Sequence, residues 1–410
     1  MRTSAPLAAD IGPLDRARPR TAIAIAIAMA AALPTTLAIS SPTLAGDMRG
    51  LGPVPLLEET DQPMRDEDRE RADGAGPEPA DAPAETAARE RTDADEPVLD
   101  ETDSHFTIRV PDRAGDDEPL RPVPADMGTN PEKVALGRAL FHDPRLSKDN
   151  TTACVSCHDL GSGGDDGLRV SVGVEGRLGP INAPTVFNVG LQFKQFWDGR
   201  AETLEQQIDG PVQSPVELGT LWPDVVEKLY NHESYPGRFR ALYPDGINRE
   251  NVKDALAEFM KSLTTPNSPF DRWLMGEEDA IGAPEKRGYA LFKHYGCSSC
   301  HQGANVGGNM FQVFGVLNDY FRKRGEITDA DLGRYNVTGN PEDRHSFKVP
   351  SLRMAALTAP YLHDGSAATL RDAVDAMFEF QLGREAPDED KEAIVAFIES
   401  LAGESRELDP

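Results

Sequence analysis

Positive charge is scarce in this chain: 42 Lys and Arg stand against 69 Asp and Glu over 410 residues, a formal net charge of -27. A surface of that sign repels nucleic acid and anionic lipid, which removes both as partners, while it tolerates a redox partner with a basic face. Apolar residues are also few, at 39%, which implies that part of the chain lies outside any packed core. Strand signals are weak, so a mostly helical protein with long loops is expected. Cysteine is rare, with 4 in all, and none lies near Ala45, which excludes a lipoprotein anchor at the N-terminus.

All 4 cysteines fall in two copies of one pattern, Cys154-Val155-Ser156-Cys157-His158 and Cys297-Ser298-Ser299-Cys300-His301. This is the C-x-x-C-H form of a c-type haem attachment site. Two thiols bond the vinyl groups of a haem, and the adjoining imidazole is then held beneath the iron as its proximal ligand. Two C-x-x-C knuckles could also close a zinc site built from all the cysteines, but such a site needs no His after each knuckle. A disulfide across a two-residue ring is a redox motif rather than a staple. The reading is two covalent c-type haems, with His158 and His301 on the irons.

Taken in order, residues 1–45 have the form of an export signal. Arg16, Arg18 and Arg20 precede an Ala/Ile-rich run, and Thr43-Leu44-Ala45 offers small residues for cleavage. An uncleaved membrane anchor is the rival reading of the same stretch. Either way the body lies outside the cytoplasm. Residues 46–119 are rich in Asp, Glu, Pro and Ala without helical or strand period, as a disordered acidic linker would be. From Leu120 the chain carries an internal repeat. Gly137-Arg138-Ala139-Leu140-Phe141 matches Gly288-Tyr289-Ala290-Leu291-Phe292, and a haem motif follows each. Each copy starts a helix, at Pro131–Phe141 and from Pro284 to Phe292, the first capped by Asn130. Each also ends in a later amphipathic helix, Val252–Leu263 and Glu389–Leu401. The expected fold class is therefore mainly α: two cytochrome c-like haem domains, 120–276 and 277–410, joined by an interdomain interface and preceded by the signal peptide and linker.

From about Leu136 to Leu401 the chain resembles the bacterial di-haem cytochrome c peroxidase family. Besides the haem motifs, four stretches carry the resemblance. They are Leu140-Phe141-His142-Asp143-Pro144-Arg145-Leu146-Ser147, Gly179-Pro180-Ile181-Asn182-Ala183-Pro184-Thr185, Gln195-Phe196-Trp197-Asp198-Gly199-Arg200 and Pro350-Ser351-Leu352-Arg353. The resemblance implies reduction of hydrogen peroxide to water with electrons from a small cytochrome c or cupredoxin. It places the peroxidatic haem in the N-terminal domain and the electron-accepting haem in the C-terminal one. It also implies a periplasmic location and, commonly, a homodimer.

The resemblance carries roles to particular residues. Glu217 and Gln207 match the carboxylate and amide that assist O–O cleavage, with Gln206 one residue out of register. Trp197 matches the Trp that helps electrons cross between the haems. Met310, Met354 and Met377 are all candidate thioether ligands for the second iron, which such a ligand would hold at high potential. Alignment on Leu370-Arg371-Asp372-Ala373-Val374 selects Met377. His363 matches a His near the haem propionates, and Asn182, Thr358 and Pro360 match an interdomain calcium site. One departure stands out. Many relatives place a His about sixteen residues after the first haem motif, where it blocks the sixth position of the peroxidatic iron until the other haem is reduced. Here that position is Val174, which cannot ligate, unless His142 or His232 reaches the iron instead. Two rival functions remain: a maturase-like oxidant of a protein substrate, for which Tyr in place of Met377 would speak, and a two-haem electron carrier, which needs both irons six-coordinate.

Overall fold

The computed structural model describes Val110, Ala114, Gly115 and residues 117–408. The expected signal peptide or anchor, 1–45, and all but the end of the expected linker, 46–119, lie outside the described residues. Everything below belongs to one compact unit, Ala88–Pro410.

Helices form where a cap and an apolar face coincide. In chain order they are α1 (Pro131–Phe141), α2 (Leu204–Gln213), α3 (Trp222–Tyr230), α4 (Tyr235–Leu242), α5 (Arg249–Ser262), α6 (Pro269–Leu274), α7 (Ala283–His294), α8 (Tyr320–Arg324), α9 (Tyr335–Thr338), α10 (Leu370–Ala376) and α11 (Asp388–Glu399). The only strands among the described residues are β1 (Phe311–Val313) and β2 (Ser346–Lys348), an antiparallel pair. The Asn130 side chain accepts from the N–H groups of Glu132 and Lys133, and Pro131 occupies the first turn of α1, where a missing N–H costs nothing. The helix expected from Val252 starts earlier because Asn248 caps it, accepting from the Asn251 N–H.

The repeat is visible as two helix pairs, α1 on α5 and α7 on α11. Each crosses at a glycine. A Cβ on Gly137 would lie 1.9 Å from the Ala255 carbonyl oxygen, and one on Gly288 would lie 1.8 Å from that of Ala393. The backbones meet there at a distance that no other residue allows. One core gathers Leu140, Phe141, Val225, Phe239, Leu256 and Phe259, with Cys154 packed against it. A second gathers Phe270, Tyr289, Phe292, Ile394, Phe397 and Leu401, with Cys297 against it. A small aromatic third core, Tyr320, Phe321, Phe347 and Phe380, has Trp197 at its side.

The packing does not follow the boundaries drawn from sequence at 119/120 and 276/277. Leu120, Phe270 and Trp273 belong to the second core, and Leu408 returns to the first. Arg353, fully buried, ties these pieces together by donating to Asp271 (2.7 Å), to the Arg121 carbonyl (3.0 Å) and to the Ala304 carbonyl (2.9 Å). Order also begins before Leu120. Glu118 is buried, accepting from the Tyr289 hydroxyl at 2.5 Å and the Lys293 ammonium at 2.9 Å. Composition marks that stretch as acidic but cannot reveal that one of its carboxylates has a buried partner.

Gly137→Val and Gly288→Val are each expected to push a helix pair apart and to cost about 3 kcal/mol or more. Denaturant unfolding of the purified variants measures this, and a midpoint equal to that of wild type would contradict the close crossing.

Candidate functional site

The first haem motif lies on a single tight turn, Cys154–Ser156, closed by the Cys157 and His158 N–H groups bonding the Cys154 carbonyl. The second repeats this at Cys297–Ser299, with Cys300 and His301 bonding Cys297. None of the four thiols is in a disulfide. Burial pushes the Cys154 thiol up to about 12 and the Cys297 thiol to about 11, so both stay neutral. The motifs sit against different cores, and among the described residues no group of three or more His, Cys, Asp and Glu could hold a metal ion. The two cysteine pairs are thus not gathered into one four-sulfur cluster among the described residues.

Both motif imidazoles are oriented alike. His158 Nδ1 lies 3.2 Å from the Gly164 carbonyl and His301 Nδ1 3.3 Å from that of Val306. A carbonyl only accepts, so Nδ1 carries the proton and Nε2 keeps its lone pair, the arrangement of a metal-ligating His. Burial lowers both, His301 to about 4, so neither is charged at neutral pH. Two pairs of cysteines outside any disulfide, each with a neutral imidazole beside it, fit two thioether-bound haems.

The second motif opens on a largely apolar cavity lined by Cys297, Cys300, His301, Val374, Met377 and Ile398. Met377 begins a π-helical turn, Met377–Gln381, a local widening often found at functional positions. Met354, by contrast, is fully buried in the first core, as a packing residue would be. The same cavity brings together Trp197, His363, Asn182, Thr358 and Pro360. The Trp197 indole N–H donates to the Asn182 carbonyl at 3.0 Å, and its ring meets that of His363 edge-on with centroids 6.5 Å apart. The Asn182 N–H donates to the His363 carbonyl at 2.9 Å, and its side-chain amide N–H to the Leu168 carbonyl at 3.0 Å.

Sequence reasoning missed Asp331. This carboxylate, 1% exposed, accepts from His363 Nε2 at 2.7 Å and from Arg324 at 2.6 Å. Burial alone would raise it, but hydrogen bonds from Arg324, Thr328 and His363 outweigh that and hold it well below the usual carboxylate range. Its only sequence signal is a cap residue, three positions after Thr328, which does not point to a His 32 residues on.

At the first motif, Glu217 is half-buried beyond α2. Burial raises its carboxyl against the opposing pull of Ser214 and Arg200, and its charge is felt at both Cys154 and Cys157. Val174, 1% exposed, is latched to it: the Val174 N–H donates to the Glu217 carbonyl at 2.9 Å. A Cβ on the preceding Gly173 would lie 2.2 Å from the Val216 carbonyl oxygen. Lys148 pins the same loop through Glu175 at 2.9 Å. Gln206 is spent on the start of α2, its side-chain Oε1 accepting from the Glu202 N–H at 2.9 Å, which separates it from the half-buried Gln207. Neither Gln207 nor Glu217 lines the cavity at the second motif. His142 is exposed, with Nδ1 2.9 Å from the Arg138 carbonyl. His232 packs on Tyr235 with its Nδ1 beside Ser234.

Asp331→Ala leaves the buried His363 without its carboxylate and removes one of the two carboxylates on Arg324, the other being Asp364 at 2.6 Å, and a loss of about 3 kcal/mol is expected near neutral pH. A carboxyl depressed by folding contributes stability that is present above its unfolded value and lost as pH falls through the folded one. The gap between variant and wild type therefore shrinks on acidification. Denaturation at about pH 7 and about pH 3 checks this; a gap that is constant with pH contradicts it.

Comparison with known proteins gives the family. Residues 131–279 match the family described as di-haem cytochrome c peroxidase. The chain is 50% identical over 287 residues to cytochrome c peroxidase Ccp of Escherichia coli, covering 70% of this chain but only 61% of that protein. It is 42% identical over 288 residues to cytochrome c551 peroxidase of Nitrosomonas europaea, covering 70% of this chain and 85% of that one. Among solved structures it is similar to a MauG-like protein associated with microbial copper homeostasis, with a TM-score of 0.63, 28% identity, and coverage of 72% of this chain and 97% of that one. Among the described residues no helix is long and apolar enough to cross a membrane. Paired haem motifs on a repeated helix crossing, together with these likenesses, mean that the chain belongs to the bacterial di-haem cytochrome c peroxidase family.

Proposed function

We propose that this protein reduces hydrogen peroxide to water in the periplasm, with electrons from a small cytochrome c or cupredoxin. The observation that carries the reading is the pairing of a half-buried Glu217, raised by burial, with a buried Val174 whose N–H bonds the Glu217 carbonyl, at the position where the resemblance implies a ligating His. When bound, the haems supply redox-active iron, one accepting electrons from the donor and the other offering peroxide a coordination position. The chain's own residues do the rest. His158 and His301 hold their groups through Nε2, with Nδ1 fixed on backbone carbonyls. Met377, in the cavity of His301, supplies the thioether side of the second group. Trp197 lies in that cavity on the His363 edge and gives electrons a conjugated step toward the first group.

Glu217 takes a proton from the near oxygen of peroxide and returns it to the far oxygen, which leaves as water. A raised carboxyl suits this exchange because its two protonation states lie closer in energy near neutral pH. The Gln207 amide steadies the bound peroxide as a hydrogen-bond donor. Two electrons and two further protons complete the conversion of one peroxide to two waters. A calcium ion would find the amide oxygen of Asn182 and the carbonyls of Thr358 and Pro360, all residues that line the cavity. The Asn182 amide nitrogen is already turned to Leu168, which leaves its oxygen as the unspent donor, and such neutral oxygens completed by water suit a hard cation. A homodimer and an exported, leader-bearing chain complete the proposal. The MauG-like structural relative keeps a maturase-like reading in view, and Met377 rather than Tyr in the second cavity weighs against it.

Glu217→Gln tests the reading. Peroxide turnover with a reduced cytochrome donor is expected to fall by about 10²–10⁴-fold with both haems still attached. The same variant is expected to be more stable than wild type near neutral pH, because a carboxyl raised by folding costs stability as pH rises past its unfolded value. Unchanged turnover removes Glu217 from proton transfer. Absence of peroxide consumption by half-reduced wild type would instead favour a carrier.

A further inference from the structure

Lys348 is a buried cation that none of the steps above uses. It closes β2, is 7% exposed, and lines the same cavity as Cys297, Cys300 and His301. Its ammonium donates to the Gln192 side-chain oxygen and, at 3.0 Å, to the Lys194 carbonyl. Both acceptors are neutral. An ammonium has three donors, so one is left over. Among the described residues the opposite charge it feels is Asp198, a carboxylate already bonded to Arg200 at 2.8 Å. Burial pushes the Lys348 ammonium down to about 7 against the opposing pull of Asp198.

An ammonium kept from water without an anion is costly, and chains retain such a group where a partner arrives from outside. The cavity wall names the partner's chemistry: the group bound there by two thioethers brings two propionate carboxylates of its own. The lysine is also firmly set. Its backbone N–H donates to the Trp197 carbonyl at 2.8 Å, and it pairs across the strand with Phe311.

We propose that Lys348, held by Gln192 and Lys194, is the counter-cation for a propionate of the haem bound at Cys297, Cys300 and His301. It is a positioning residue, and its charge raises that haem's reduction potential, because a nearby cation favours the form with one electron more. The inference rests on the two-haem reading above.

The test uses the full-length, haem-loaded protein with Lys348→Gln and Lys348→Arg. Intact mass counts the attached haems, and a spectroelectrochemical titration reads each haem's potential. The expected result is two haems in every form. In Lys348→Gln the second haem's potential falls, so that its reduced-to-oxidised ratio at fixed potential drops at least tenfold, about 59 mV for one electron. Lys348→Arg keeps the wild-type value, and the first haem does not move. A second readout needs no charge-removing variant: the propionate bending band of the second haem in resonance Raman shifts between wild type and Lys348→Arg. Two attached haems with an unmoved second potential in Lys348→Gln overturn the proposal, as does a fall of equal size in Lys348→Arg, or an unmoved propionate band. Fewer than two haems on wild type overturns the haem reading beneath it.

Discussion

The backbone of Asn182 is the tie on which the site depends. Its N–H reaches the His363 carbonyl and its carbonyl receives the Trp197 indole, so one residue from the first half of the chain fixes groups from both. His363 is held from its other side by Asp331, and Trp197 is held again through the Lys348 N–H. The position of the half-buried Trp197 is therefore set by directional hydrogen bonds to a buried Asn182, where a broken bond leaves an unsatisfied polar group. The two cores are not beads on a string. Arg353 and the exchange of Leu120 and Leu408 between them lock the halves together. Transfer of electrons over a fixed distance needs that rigidity.

At the other end, the loop carrying Val174 is fixed rather than poised. It is latched to Glu217 by a backbone bond, crowded at Gly173 against Val216, and pinned by Lys148. A loop that must release a ligand before peroxide can bind has to move. Here the apolar side chain is buried and offers nothing to release. The same latch ties the Val174 loop to the backbone of Glu217, the residue proposed for proton transfer.

Much of this was legible in the sequence because it rests on local chemistry. The haem motifs are contiguous, and the caps at Asn130 and Pro131 announce α1. The repeated Gly-x-Ala-Leu-Phe marks both helix crossings, since only glycine lets the backbones at Ala255 and Ala393 approach so closely. What was not legible depends on contacts between distant residues. The 119/120 boundary followed composition, which is blind to the pairing of Glu118 with Tyr289 and Lys293. Asp331 carries no contiguous motif, since its partner His363 lies 32 residues on. Lys348 stands among Phe347, Val349 and Pro350, and its burial is visible only in the folded cavity. Met377 was separated from Met310 and Met354 by resemblance, not by periodicity.

The central claim is that Val174 leaves the first iron open without prior reduction. The electron paramagnetic resonance spectrum of the fully oxidised protein, followed by addition of peroxide and donor with no pre-reduction step, tests it most directly. The account predicts a high-spin ferric signal from one haem and turnover from the first seconds. Two low-spin signals, with turnover only after half-reduction, would contradict it and mean that another residue ligates the first iron.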